Sequence, residues 1–338
     1  MHQPSAHRSS HQTLSHLFVV GYCLFVVLFA IALRSPLADW WGLQLIAVIY
    51  PWLYAPVLIM VMGQILRRRW RRMLLLSLPV VLLVGEYGTL MLPEARAATA
   101  AQPRQQLRVM SWNVLFRNTD STAVAATILS QNADLVALQE LGTPLAADLQ
   151  EQLKQHYPYQ VLAPRRDPGG FGLLSRYPIV HSDQPSLSNA ECRCQRVQIA
   201  IGERIVTLIN THPATPKLEI RRVARVLPLP NHFATTEQEQ TFDALIHQID
   251  RETTPVLLVG DFNLTDRQAS YQRFHERLRD VHAEVGWGLG LTFPTSQITS
   301  LIRIDYIWID EFWQPNAIWT VQDLSSDHRA VIADLTLQ

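Results

Sequence analysis

Pro255-Val256-Leu257-Leu258-Val259-Gly260-Asp261-Phe262-Asn263 runs from a proline and four apolar residues, through a glycine, into an Asp-x-Asn. A short apolar run that stops at polar residues reads as a buried strand, here Val256–Gly260, whose end delivers a carboxylate and an amide to the edge of a sheet. Similar runs mark strands at Leu107–Asn113, Leu135–Gln139, Gly172–Ser175, Ile205–Asn210, Ile304–Ile309 and Ala330–Leu335, and helical spacing covers Ser121–Gln131, Pro144–Gln155 and Gln240–Asp250. Strands with helices between them predict an α/β domain over residues 107–338: two packed β-sheets flanked by helices, a four-layer sandwich. No internal repeat or low-complexity tract interrupts it.

The other strand ends carry similar cargo. Ser111-Trp112-Asn113 closes the first strand, Leu138-Gln139-Glu140 the second and Asn210-Thr211-His212-Pro213 another. Arg303-Ile304-Asp305-Tyr306-Ile307 begins a late strand, and Ser325-Ser326-Asp327-His328 precedes the last. Each site supplies a carboxylate, an imidazole or an amide where side chains can converge on one rim. Carboxylate and amide oxygens suit hard cations such as Mg²⁺ or Mn²⁺. Residues 107–338 hold no H-x-x-x-H or C-x-x-C pair of the kind zinc uses. A hard cation beside histidines and an Asp-x-Asn fits displacement at phosphorus. Taken singly, Asn113 and Asn263 read as turn residues, Asp305 as a buried hydrogen-bonder, Asp327 as a turn cap and Asp266 as a helix N-cap. Six such sites in one order favour the catalytic reading.

This ordered set resembles the endonuclease/exonuclease/phosphatase superfamily, which includes pancreatic-type deoxyribonucleases, abasic-site endonucleases, neutral sphingomyelinases, inositol polyphosphate phosphatases and tyrosyl-DNA phosphodiesterases. The resemblance extends over Leu107 to Leu337. It implies a divalent-metal-dependent phosphoesterase with Glu140 as principal metal ligand, Asn113 beside it and Asp327 as a second metal-side carboxylate. Asp261 would align or deprotonate the attacking water, and Asn263 would donate to a phosphate oxygen. His328 would face the scissile phosphate with Asp305 orienting it, and His212 would contact phosphate. Gly169-Gly170-Phe171-Gly172-Leu173-Leu174-Ser175-Arg176-Tyr177-Pro178 is similar to a glycine-rich strand and turn shared by several branches. Gly286-Trp287-Gly288-Leu289-Gly290-Leu291-Thr292-Phe293-Pro294 resembles a bacterial membrane-anchored, deoxyribonuclease-like subgroup. Arg303 and Arg176 are candidate substrate contacts, with Arg165 and Arg166 as further groove candidates. For Arg303 a structural salt bridge is an equal reading.

Composition explains the rest of the chain. Of 338 residues 48% are hydrophobic and 17% charged, apolar for a purely soluble protein, and the excess lies before residue 93. Apolar runs at 17–33, 40–66 and 73–92 are each long enough to cross a bilayer, so residues 1–92 read as a three-helix transmembrane region. Pro51 and Pro56 leave the second run kinked or partly re-entrant. Glu86 interrupts the third with no partner charge visible, which suggests a place inside the bundle. Five arginines at Arg67, Arg68, Arg69, Arg71 and Arg72 place that loop in the cytoplasm by the positive-inside rule; the N-terminus is then cytoplasmic and the C-terminal domain extracytoplasmic. Residues 93–106 read as a linker, within which Ala97–Ala100 imitates a secretory cleavage region.

From residue 97 onward, 21 basic residues face 26 acidic ones, which argues against a protein that grips long nucleic acid by its backbone. Three cysteines exclude a disulfide framework; Cys23 reads as a buried hydrophobe, and Cys192 and Cys194 as two thiols or one disulfide in preference to zinc ligands. Three functions compete: a nuclease or general phosphodiesterase, a lipid head-group phosphodiesterase or phosphatase, and an inactive binding module. The expected partners are a phosphoester, from nucleic acid or a phospholipid head group, and a membrane; no protein partner can be inferred.

Overall fold

A computed structural model of the chain describes residues 6–68, 70–91, 105–187, 190–191, 193–223, 227–295 and 300–338. It divides into two compact units, one essentially the first 92 residues and the other the remainder, apart from residues 267–269, which cluster with the first. Of the linker expected over 93–106, residues 93–104 lie outside the described residues, as do the cleavage-like Ala97–Ala100 and Cys192, while Gln105 and Gln106 already belong to the first strand. Cys194 is disulfide-bonded.

The first unit contains α1 (Ala6–Ala32), α2 (Trp41–Ala47), α3 (Ala55–Leu66) and α4 (Trp70–Met91). Two helical segments, Ser15–Ala32 and Met73–Met91, are long and apolar enough to cross a membrane. The 40–66 run is not one straight helix: a 3-10 turn at Tyr50–Tyr54 breaks it, and the two parts bend by 76°, so it counts as a third span only if the bent pair crosses together. Large apolar side chains such as Leu28, Ile59, Leu74 and Val84 point outward, the arrangement lipid-facing helices need. The side chain of Glu86 is buried within the bundle, as its sequence context suggests, but it does have a partner charge. Arg34 Nη2 lies 2.6 Å from Glu86 Oε1, and the hydroxyls of Tyr50 and Tyr54 donate to its two oxygens at 3.1 Å. A carboxylate in an apolar bundle is tolerable when it is paired and fully hydrogen-bonded, and this one is.

The second unit runs β1 (Gln105–Asn113), α5 (Ser121–Gln131), β2 (Leu135–Gln139), α6 (Thr143–Leu153), β3 (Tyr159–Ala163), β4 (Phe171–Ser175), β5 (Ile179–Asp183), β6 (Ser186–Leu187), β7 (Ala190–Glu191), β8 (Cys194–Ile201) and β9 (Arg204–Thr211). It continues with β10 (Lys217–Val223), β11 (Leu227–Ala234), α7 (Thr236–Ile249), β12 (Val256–Asp261), α8 (Ala269–His275), β13 (Arg279–Asp280), α9 (Val281–Val285), β14 (Asp305–Ile309), β15 (Trp313–Val321) and β16 (Ala330–Leu337). Two mixed six-stranded sheets result, ordered β15-β16-β1-β2-β4-β3 and β13-β14-β12-β9-β8-β5. β1 with β2 and β9 with β12 are parallel pairs at the sheet centres, and each leaves its C-terminal ends on one rim.

Strand periodicity assigns each residue a layer. Leu107, Val109, Leu135, Ala137, Leu208, Leu257, Val259, Ile307 and Val331 face inward and form the core between the sheets. Met110, Trp112, Val136 and Leu138 face outward against α5 and α6. Leu258, Phe262, Tyr306 and Trp308 do the same on the other side with Phe242, Leu245 and Phe274 of the flanking helices. Helix ends follow ordinary capping. Asp120 accepts from Ala123 N at 3.0 Å to start α5, and Asn132 closes it in the left-handed region. The predicted fold class is therefore the observed one.

One buried ion pair has a stability consequence. Arg303 Nη1 lies 2.6 Å from Asp280 Oδ2, both side chains are almost fully buried, and Tyr271 and the His282 amide also donate to Asp280. Asp280→Ala strands a buried guanidinium and is expected to cost about 3–5 kcal/mol, read as a lower midpoint of thermal unfolding in detergent.

Candidate active site

Extending the inward-facing period of each central strand by one or two residues reaches the polar rim. In β1 the set Leu107, Val109, Ser111 continues to Asn113; in β12, Leu257 and Val259 continue to Asp261; in β9, Val206 and Leu208 continue to Asn210 and then His212; in β14, Ile309 and Ile307 lead back to Asp305. The hydrophobic alternation that builds the core thus aims these polar groups into one pocket. Glu140 is the exception, because strict alternation from Gln139 would point it outward. Its φ of +55° turns the chain at the end of β2 and brings the carboxylate in, and such a backbone costs a β-carbon residue on the order of 1 kcal/mol. Asn263, at φ +50°, makes the corresponding turn after β12 with a residue type that tolerates it. Between the parallel strands, Gly260 has φ +145°, and a Cβ there would lie 2.0 Å from Thr211 O. Only glycine allows β12 to approach β9 this closely.

The groups meet at contact distance. Asn113 Nδ2 donates to Glu140 Oε1 at 3.1 Å and to Asp261 Oδ2 at 3.0 Å, while its Oδ1 accepts from Leu115 N. Glu140 Oε2 accepts from Phe116 N at 3.1 Å. His212 Nε2 lies 3.4 Å from Asp261 Oδ2 and 3.6 Å from Glu140 Oε1, with its Nδ1 3.0 Å from Pro168 O. His328 Nε2 lies 3.5 Å from the same Asp261 oxygen, and its Nδ1 is held at 3.0 Å by Asp305. Asn263 N donates to Asp261 Oδ1 at 2.9 Å, and its side-chain amide gives one proton to Pro213 O at 3.2 Å, leaving the second.

Charge in the pocket follows from those contacts. Burial works against a charged His328, but Asp305 and Asp261 outweigh it and hold the imidazolium up to about 10. Burial likewise opposes the Asp261 carboxylate, and the two histidines with the Asn263 amide bring it down to about 2. His212 is raised: burial disfavours its proton, and Asp261 and Glu140 more than compensate. Asp327 is half-buried, and burial raises its carboxyl, with a further push from the charges of Glu140 and Asp261.

The structure thus brings together Asn113, Glu140, His212, Asp261, Asn263, Asp305 and His328, with Asp327 at the edge of the same field. The arginines behave differently. Arg303 is spent on Asp280 at 2.6 Å and Asp266 at 3.5 Å and packs over Tyr306, the salt-bridge alternative of the sequence reading. Arg176 pairs with Asp134 at 3.2 Å. Ser175 opposes Leu135, so Arg176 lies at the far end of β2 from Glu140, about 16 Å along the strand. Neither reaches the pocket. Asp266, read as an N-cap, also belongs to the Arg303 pair.

Several supporting residues went unassigned in sequence. Gln139 Nε2 donates to Asn210 Oδ1 at 2.7 Å, and Asn210 Nδ2 donates back to Leu138 O at 2.9 Å, so amides from opposite sheets form the pocket floor. Ser326 Oγ donates to Asn113 O at 2.6 Å and accepts from His328 N, tying two site segments together. Thr292 Oγ1 accepts from the amides of Ile304 and Asp305, and the Phe293 ring covers His328 at 4.7 Å. The available signal was positional: Gln139 and Ser326 adjoin predicted site residues, and Asn210 is the inward polar residue before His212.

The donor set fits a hard cation. Asp261, Asp305 and His328 present ligand atoms within 4.8 Å of one another, but both Asp305 oxygens are engaged by His328. Glu140, whose side chain is 15% exposed, is the more open carboxylate. Several carboxylates gathered at one rim form an oxygen-rich, negative cluster of the kind a hard divalent cation takes. Asn113 Oδ1 is committed to Leu115, so this residue meets the carboxylates as a donor and positions them.

A sandwich of this kind, with acids, imidazoles and amides gathered on one rim, is the architecture of phosphoester hydrolases. Residues 110–328 match the Endonuclease/Exonuclease/phosphatase family, and the chain belongs to it. Among solved structures it is similar to a functionally unknown conserved protein from Enterococcus faecalis V583 (TM-score 0.55, 18% identity, 69% of this chain and 100% of that one). It is similar also to an endonuclease/exonuclease/phosphatase from Bacteroides vulgatus (0.55, 18%, 70% and 100%). A third is D. rerio TDP2 complexed with single strand DNA product (0.53, 16%, 68% and 99%). At these identities the likeness is one of fold. No curated protein matches the sequence.

Proposed function

We propose that the chain is a divalent-metal-dependent phosphoesterase, tethered to a membrane by its N-terminal helices, that hydrolyses phosphodiester or phosphomonoester bonds by attack of water. The observation that carries this reading is the shared Asp261 oxygen, which lies 3.0 Å from Asn113, 3.4 Å from His212 and 3.5 Å from His328. Asp261, kept as a carboxylate, orients a water and accepts its proton. His328, with Nδ1 fixed by Asp305, turns Nε2–H toward negative charge developing on the phosphate. His212 and the free amide proton of Asn263 hold the remaining phosphate oxygens. Glu140, positioned by the Asn113 amide and with Asp327 beside it, would hold Mg²⁺ or Mn²⁺, which would supply Lewis acidity and offset phosphate charge. The test is hydrolysis of bis-p-nitrophenyl phosphate with added Mg²⁺ or Mn²⁺. Turnover that survives a strong chelator sinks the metal-dependent reading.

The side of the N-terminus depends on the bent pair. Arginines 67–72 in the cytoplasm put the catalytic domain outside it, because Met73–Met91 crosses between them, and the N-terminus is cytoplasmic when Trp41–Leu66 crosses as one span. A phosphatase reporter fused after Gln338 is then expected to be active and a fluorescent reporter that folds only in the cytoplasm dark. The reverse pattern puts the arginine loop outside the cytoplasm and reverses the orientation.

A further inference from the structure

Directly after the His212-Pro213 corner the chain leaves both main sheets and forms the ribbon β10–β11, paired only with itself from Lys217↔Ala234 to Val223↔Leu227. Aliphatic side chains on it stand in solvent: Leu218 is 44% exposed, Ile220 59% and Leu229 42%. Solvated apolar residues grouped on one projecting element indicate a partner. The basic residues of the segment 217–234 are Lys217, Arg221, Arg222 and Arg225 against a single acid, Glu219, within a domain that is acidic as a whole. Lys217 is engaged by Glu237 at 2.9 Å, and Arg221 and Arg222 are exposed. The base of the ribbon adjoins the pocket, since Pro213 O receives the Asn263 amide at 3.2 Å.

We infer that the β10–β11 ribbon is a docking element for an anionic phospholipid surface: Ile220, Leu218 and Leu229 enter the interface, Arg221 and Arg222 meet the head groups, and the adjoining pocket receives a head-group phosphoester. Aliphatic tips flanked by arginines match a surface with negative charge outside and hydrocarbon beneath. They suit nucleic acid poorly, because the described part of the ribbon exposes no Phe, Tyr or Trp ring for bases to stack on and the surrounding domain repels a long polyanion. This deepens the proposed function by naming its substrate class and rests on that reading.

The test uses the full chain reconstituted in vesicles of phosphatidylcholine alone, or mixed with phosphatidylglycerol. A nitroxide is placed at Ile220→Cys or Leu229→Cys on a Cys23→Ala background; both labelled positions are exposed, so the fold does not depend on them. With phosphatidylglycerol the label is expected to lose about tenfold of its collision rate with a water-soluble nickel chelate and to gain contact with oxygen dissolved in lipid. Adding Arg221→Glu and Arg222→Glu returns it to water. A label equally wet in both vesicles, or shielded by duplex DNA and indifferent to phosphatidylglycerol, overturns the inference. Vesicle docking without hydrolysis of phosphatidylglycerol, in protein that still turns over bis-p-nitrophenyl phosphate, overturns the substrate assignment. Label depth is read without turnover, so a failure of the phosphoesterase reading shows separately, as bis-p-nitrophenyl phosphate hydrolysis that Glu140→Ala does not change.

Discussion

Glu140→Ala is expected to reduce phosphoester turnover by on the order of 10³-fold or more and to remove its response to added Mg²⁺ or Mn²⁺. Three geometric facts lead to that size of effect. Glu140 is more open than Asp261 or Asp305, it touches both Asn113 and His212, and its chain pays for a left-handed backbone to get there. An alanine at φ +55° keeps that strain and loses the Phe116 amide contact, so a folding control is required. Glu140→Gln retains the shape and one acceptor while deleting the charge. If Glu140→Gln matches wild-type turnover across a Mg²⁺ titration while circular dichroism shows a native fold, Glu140 is no metal ligand.

The second large effect is expected at His328. Removing the imidazole by His328→Ala deletes the group proposed to face the phosphate and leaves Asp305 buried without its partner, so turnover should fall by about 10²–10⁴-fold. Asp305→Asn separates the two contributions. It keeps the packing against Thr292 but no longer favours the protonated ring, so most of the loss should appear in kcat and little in KM. Equal losses in kcat and kcat/KM for His328→Ala, with KM unmoved, identify an interaction made in the transition state. A purely raised KM assigns His328 to ground-state binding instead.

Much of the catalytic domain could be read from residue order because its central strands are short, apolar and end abruptly. Leu135–Gln139 and Ser121–Gln131 coincide with the observed elements, and Val256–Gly260 and Ile304–Ile309 differ by one residue. Strands away from the centre were not legible. β15 carries Pro315 and a register shift between Pro315 and Ala317, and β11 carries Pro228 and Pro230, so both lack the continuous pattern a reader looks for. β8 alternates as a half-buried strand should, yet Gln195, Arg196 and Gln198 dilute its apolar signal. In the pocket, side chains at the ends of central strands were visible because chemistry and position coincided. The substrate-contact reading failed at the arginines, whose long side chains find distant partners: Arg303 turns to Asp280, its salt-bridge alternative, and Arg176 to Asp134, and no local spacing encodes either.

The amide pair under the pocket has a mechanical side. Gln139 and Asn210 latch one layer of the sandwich to the other with a 2.7 Å bond, and Asn210 also grips Leu138 O. Two layers fastened at that depth cannot part to admit a bulkier ester without breaking hydrogen bonds between fully buried amides. Room for large leaving groups therefore has to be made above the rim, by the connecting segments, while the spacing of the reactive groups stays set by the latch beneath them.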